Sequence, residues 1–330
     1  MDTVNKPLAE QVTIDHPAFD PQTVLITTPI AELYQTVRHI LLVRETGCCF
    51  TAPSGAGKTR ALILLEHLLR ERMPALIVIR HTTWNHQVPS IRAFFKHFLT
   101  AVGHPELRGE TFDLRHRLVC RLIDLARTSQ LPFIVLLIDE ANAMRLEDFL
   151  FLKDIYNNLD REGVGLVTVM MGQDPDFSDV IANLRDLGKS DLISRFARRR
   201  QQFRAYSKVE DVASVFRQYD SAIWPPGSSQ TWTQFFMPEA WDAGFRLADQ
   251  AAPFMEAVKS CSDQSLSKIG FPARQFFAAV REYLAKQQYS DAPGEFPSPD
   301  AWGEAVEFAL LADAMNDMKS ETKRKRKIPQ

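Results

Sequence analysis

The chain has 330 residues, 45% hydrophobic and 24% charged, with a formal net charge of −2, which is ordinary for a soluble globular protein and excludes a global positive field. Any nucleic-acid surface must therefore come from local clustering. The cysteines Cys48, Cys49, Cys120 and Cys261 form no C-x-x-C pair and no zinc set, and neither a signal peptide nor a membrane-length apolar run is visible, so the expectation is a cytoplasmic protein with no membrane partner.

Residues 1–28 are proline-bearing and polar with weak periodicity, and read as an extended or disordered N-terminal arm. From Pro29 to Glu45 apolar positions recur at helical spacing. Strands and helices then alternate: strand Cys48–Thr51, helix Lys58–Arg72, strand Ala75–Arg80, helices at about 88–102 and 112–129, strand Phe133–Ile138, helix Glu147–Leu159 and strand Gly165–Met171. Apolar strands without alternation, separated by helices, predict an α/β domain with a parallel sheet covered on both faces. After Lys208 the pattern becomes helical, over 208–220, 238–250, 252–262, 271–287 and 299–318. The predicted organisation is an arm at 1–28, a nucleotide-binding α/β domain at 29–207, a helical lid at 208–318 and a basic tail at 319–330 that carries Lys323–Lys327. That tail could grip DNA or an acidic partner, or be a solvated end.

Ala52-Pro53-Ser54-Gly55-Ala56-Gly57-Lys58-Thr59 matches the phosphate-binding loop pattern except that Ala52 stands where the first glycine is usual. Its setting, between an apolar strand and an amphipathic helix, is the required one. Gly55 and Gly57 let successive N–H groups turn toward phosphate oxygens. Lys58 supplies a point charge and Thr59 a hydroxyl for Mg²⁺; Pro53, Ser54, Ala56 and Arg60 belong to the same nucleotide-contacting stretch. Strand Phe133–Ile138 runs into Asp139-Glu140, which places Asp139 to hold Mg²⁺ and Glu140 to polarise the attacking water. Asp139 taken alone could instead cap a helix starting at Ala141. Gln173, which follows strand Gly165–Met171, can reach the water or γ-phosphate, or be a surface-loop residue.

Lys189–Lys208 concentrates Arg195, Arg198, Arg199, Arg200 and Arg204. An arginine finger is one use of such charge; a solvated basic face is another. Arg195, within Ser194-Arg195-Phe196, is the finger candidate. Arg274, in Gly270-Phe271-Pro272-Ala273-Arg274, opens a lid helix and could fold back onto the phosphates, or be a surface residue.

The order Ala52–Thr59, Asp139-Glu140, Gln173, Ser194-Arg195 and Gly270–Arg274 resembles the Walker A, Walker B, sensor 1, arginine finger and sensor 2 sequence of AAA+ P-loop NTPases. The lead-in Ile26-Thr27-Thr28-Pro29 and the run Met171-Gly172-Gln173 resemble the transposition regulators TnsC and TniB, in particular the short TnsC of CRISPR-associated transposons. The resemblance spans roughly residues 20–290 and implies an AAA+ fold with a central parallel sheet and a C-terminal helical lid. It implies an ATPase that takes ATP and Mg²⁺, with Lys58, Thr59, Asp139, Glu140, Gln173 and Arg274 acting in cis and Arg195 in trans. It further implies a homo-oligomeric ring or helical filament on double-stranded DNA, linking a target-selection protein or CRISPR effector to transposase subunits in DNA transposition. The DNA face it implies lies in His81–Thr100, where Arg92, Lys96 and His97 could meet phosphates. The same stretch also reads as a half-buried amphipathic helix.

Two other readings stay open. A replication initiator or helicase loader shares the ATPase motifs, but such proteins usually append a DNA-reading module after the lid. An ATP-gated assembly scaffold with no DNA role would not need Glu140.

Overall fold

The computed structural model describes residues 15–20, 22, 23, 25–83, 90–261, 270–298 and 300–324. It divides into two units, Ile30–Arg204 and the stretch up to Pro29 joined with Ala205 onward.

In the first unit five strands form one sheet in the order β2-β3-β4-β1-β5. They are β1 Gly47–Ala52, β2 Ile77–Thr82, β3 Phe133–Asp139, β4 Gly165–Gln173 and β5 Arg200–Gln202, and every pairing is parallel. Helices cover both faces, which is why the central strands read as unbroken apolar runs. Along β3, Val135 and Leu137 enter one core with α1 Thr28–Leu42 and α2 Lys58–Arg72. Ile134, Leu136 and Ile138 enter the other core, with α3 Ile91–Ala101, α4 Thr111–Thr128, α5 Leu146–Arg161 and α6 Asp176–Asp186. Alternation is present, but both of its faces are apolar. Cys48 and Cys49 are fully buried in β1, and burial pushes the Cys49 thiol up to about 12 and raises that of Cys48 as well.

The register fixes what meets at the carboxyl edge of the sheet. Ala52 pairs with Gln173, Ile138 with Met170 and Thr82 with Asp139. Because β4 separates β1 from β3, the loop after β1 and the acids ending β3 stand two strand spacings apart, roughly 10 Å. β5 has no counterpart in the sequence reading. Arg200–Gln202 is exposed and polar, since an edge strand completed by backbone pairing to Cys49, Phe50 and Thr51 needs no apolar signature.

The second unit is helical: α7 Val209–Ser221, α8 Trp232–Phe236, α9 Pro238–Asp242, α10 Ala251–Cys261, α11 Ala273–Ser290, α12 Ala301–Phe308 and α13 Leu311–Arg324. Phe216, Phe254, Phe276, Tyr283 and Trp302 fill its core, with Tyr283 and Trp302 stacked 3.8 Å apart. His16 belongs to this unit too, fully buried among Trp224, Trp232, Phe235 and Phe236. Two expected helices are each broken. The segment 238–250 stops at Asp242 and resumes as a tight turn at Leu247–Gln250, because Gly244 adopts φ +99. The segment 299–318 is interrupted where Leu310 takes φ +51. Residues 1–14 of the arm and the side chains of the basic tail Lys323–Lys327 lie outside those described. Among the described residues no helix is long and apolar enough to cross a membrane.

Candidate nucleotide site

The loop Ala52–Thr59 leaves the buried end of β1 and enters α2 at Lys58. Gly55 has φ +72 and Gly57 φ +88, the left-handed region that only glycine occupies freely. Two such residues around Ala56 give a turn that can aim consecutive N–H groups at one anion, and α2 adds its positive end. Ala52 is 1% exposed and Ala56 4%, so both methyl groups pack inward and leave the concave side to backbone. The alanine at the first position is therefore absorbed into the core. Lys58 is buried, and its ammonium donates to the Pro53 carbonyl at 3.3 Å, while Thr59 is exposed on the first turn of α2 and Arg60 half-buried.

Asp139 ends β3 at 1% exposure. Its Oδ1 accepts from the Glu140 N–H at 2.9 Å, and its carbonyl accepts from the Thr83 N–H at 3.0 Å. Glu140 sits at φ 53, ψ 40, a left-handed backbone that costs a non-glycine residue about 1–2 kcal/mol. Such strain persists only where neighbours over-determine it: the Glu140 N–H is held by Asp139 and its carbonyl by the Ala143 N–H, while its carboxylate is met by Asn142. Its Nδ2 donates to Glu140 Oε2 at 3.3 Å, and its Oδ1 accepts from the Gln173 N–H at 2.8 Å. The structure thus gathers Asp139, Glu140 and Gln173 on the carboxyl edge that also carries the loop. Asn142 was not singled out by sequence; its signal was a polar residue two places after an acid pair.

ATP with Mg²⁺ fits these residues. The paired left-handed glycines form an anion cradle, a buried lysine stands inside the loop, and a hydroxyl and a buried carboxylate are the hard oxygen donors Mg²⁺ takes.

Arg195 lies elsewhere in this unit. The Arg195 carbonyl accepts from the Thr46 hydroxyl at 2.8 Å, beside the start of β1. That is the opposite end of the strand from the loop, roughly 16 Å away at about 3.3 Å per residue. Its guanidinium donates to Asn157 Oδ1 at 2.6 Å and lies over the Tyr156 ring at 4.9 Å. Arg199 pairs with Glu45 and Arg204 with Glu32, so much of the basic cluster is spent on ion pairs. Arg274 is exposed on the first turn of α11, in the helical unit. The turn before it is pinned by the Phe271 N–H donating to the Tyr206 carbonyl at 2.8 Å. Arg92 and Lys96 lie on α3, whose Phe95, Phe98 and Leu99 face the core. Arg92 donates to Glu110 at 2.8 Å, and Lys96 and His97 are half-buried.

Residues 43–181 match the model of a family described as AAA domain. Among solved structures, the ORC2 protein of Aeropyrum pernix in ADPNP and ADP complexes aligns at a TM-score of 0.55 and 14% identity, over 89% of this chain and 72% of that one. This is the AAA+ P-loop fold. Two further AAA+ likenesses are weaker. The ORC1 protein of the same organism, in complex with DNA, aligns at a TM-score of 0.49 and 14% identity over 88% of this chain and 66% of that one. Cdc6p from Pyrobaculum aerophilum aligns at 0.45 and 15% identity over 94% and 90%. No curated protein sequence matches the chain.

Proposed function

We propose that the protein is an Mg²⁺-dependent ATPase whose nucleotide state controls assembly of copies on double-stranded DNA. The observation that carries the ATPase part of this reading is the convergence of the loop, Asp139, Glu140 and Gln173 on one sheet edge, with Asn142 bonded to two of them; assembly on DNA rests on the resemblance to AAA+ transposition regulators. ATP bound with Mg²⁺ supplies the γ-phosphoryl group and the positive charge that screens it. The amides of Gly55–Thr59 and the Lys58 ammonium bind the phosphates, the Thr59 hydroxyl and the Asp139 carboxylate hold the metal ion, and Glu140 orients and polarises the attacking water. Gln173 hydrogen-bonds the water or the γ-phosphate, and Arg274 reports lid position.

Arg195 serves the nucleotide of a neighbouring copy. Its backbone is fixed at the amino end of β1, too far from its own loop to contact the same phosphate, which supports a role in trans. An arginine so placed accelerates phosphoryl transfer by about 10³–10⁵.

Within this reading the Ile26-Thr27-Thr28-Pro29 lead-in and the Met171-Gly172-Gln173 run favour a transposition regulator resembling TnsC and TniB, with transposase subunits and a target-selection protein or CRISPR effector as partners. Fold alone does not choose between that and an initiator or helicase loader. The test is fluorescence anisotropy of a labelled random duplex with Mg-ATP, Mg-ADP or no nucleotide, for the wild type and Lys58→Ala. Binding that needs ATP, ignores sequence and vanishes in the variant supports the regulator, because phosphate contacts carry affinity without reading bases. Strong sequence preference favours an initiator, and no binding in any state removes DNA from the proposal.

A further inference from the structure

We infer that Asn142 is a positioning residue that yokes the Glu140 carboxylate to the end of β4, so that the water-polarising acid and Gln173 move as one. This deepens, and rests on, the ATPase reading above. The two amide atoms of Asn142 are divided between two elements: Nδ2 donates to Glu140 Oε2 at 3.3 Å, and Oδ1 accepts from the Gln173 N–H at 2.8 Å. Asn142 lies in the single helical turn Ala141–Ala143, directly after the left-handed Glu140. The Ala143 N–H closes that turn onto the Glu140 carbonyl at 2.9 Å, and Ala141 beside it is fully buried. The turn therefore has a fixed seat.

The division matters because each partner is held elsewhere by its backbone. The Glu140 N–H is committed to Asp139 Oδ1, which leaves its side chain to be aimed by a separate contact. Past Gln173, the Asp174 N–H returns to the sheet on the Ala52 carbonyl at 2.9 Å, at the start of the phosphate loop. A continuous chain of bonds thus runs from Glu140 through Asn142 and Gln173 to the end of β1. A shift of the loop or of β4 is transmitted to the carboxylate through one amide. A neutral amide is suited to this: it donates to a carboxylate and accepts from an N–H at once, which neither an ionised acid nor an ammonium can do.

The test needs two variants and two readouts. Asn142→Ala removes both bonds, and Asn142→Asp keeps an oxygen for the Gln173 N–H but loses the donor to Glu140. Without nucleotide, amide exchange at Gln173 should quicken roughly fivefold in Asn142→Ala, the weight of one neutral hydrogen bond, and stay near wild type in Asn142→Asp. With Mg-ATP, kcat should fall about tenfold to a hundredfold in both variants while ATP affinity stays within about twofold, the mark of misplacement and not of lost binding. In a Glu140→Gln background, Asn142→Ala should cost nothing further in single-turnover hydrolysis. Unchanged Gln173 exchange in Asn142→Ala, wild-type kcat in both variants, or a full additive loss in the double variant overturns the assignment. A wild-type chain that hydrolyses no ATP overturns the ATPase reading itself, and the exchange experiment then still judges the contact.

Discussion

Replacing Gly172 by alanine would put a methyl carbon 2.5 Å from Cγ and 2.7 Å from Cβ of Phe177. Carbon atoms pack at about 3.5–4.0 Å, so roughly 1 Å of movement is required. Phe177 has nowhere to go: it is fully buried in the core formed with Ile181, Leu184 and Phe196. Either α6, which carries the ring, or the end of β4 must shift. Overpacking of this kind costs about 1–3 kcal/mol. For a unit of this size each kcal/mol lowers the unfolding midpoint by about 2–4 °C, so the expected fall is roughly 2–12 °C by calorimetry. Because the strain enters one residue before Gln173, ATP turnover should drop in the same variant. Adding Phe177→Ala, which removes Cγ and the rest of the ring and leaves only Cβ, should make the combined loss smaller than the sum of the two single losses. A Gly172→Ala protein with wild-type midpoint and turnover would refute the argument, because it would show that the strand end and α6 are not packed as described.

Three further outcomes are expected. Trp302→Ala, which deletes the partner stacked on Tyr283 at 3.8 Å, should destabilise the helical unit by about 3–5 kcal/mol, and urea denaturation measures it. His16 accepts the Ala18 N–H at 3.0 Å, and burial lowers its pKa from 6.5 to about 4. A depressed folded pKa stabilises above about 6.5, with that contribution lost as pH falls toward 4; thermal midpoints should decline across that window, and less so in His16→Phe. Arg195→Ala should abolish turnover while leaving ATP binding nearly intact, and mixing it with Lys58→Ala subunits should restore activity. The two defects complement because one supplies an intact site and the other an intact finger; a mixture that stays inactive would argue against a finger in trans.

How far the site could be read from sequence follows from the range of the interactions. The phosphate loop was legible because its glycines, lysine and threonine lie within eight consecutive positions, bracketed by a strand and a helix. Asp139-Glu140 was legible because two adjacent carboxylates ending an apolar strand are costly to hold there unless a cation or hydrogen-bond donors meet them. The Asn142–Gln173 bond spans 31 residues and exists only once β3 and β4 pair in register, so no local pattern announces it. β5 was missed for a related reason: its residues satisfy backbone hydrogen bonds at an edge and bury nothing. Arg92 read as available charge because Glu110, its partner at 2.8 Å, arrives from the segment before α4. Gly244 was visible in the sequence, but apolar periodicity over 238–250 outweighed one breaker until the structure showed its φ of +99.

The central claim is that Ala52–Thr59 with Asp139 binds ATP and Mg²⁺, and titration calorimetry of the wild type and Lys58→Ala with ATP, in Mg²⁺ and in EDTA, tests it most directly. One site per chain, weakened when Mg²⁺ is removed and lost in Lys58→Ala, is the predicted result. Absence of heat in the wild type, or equal binding by a folded Lys58→Ala protein, would contradict it.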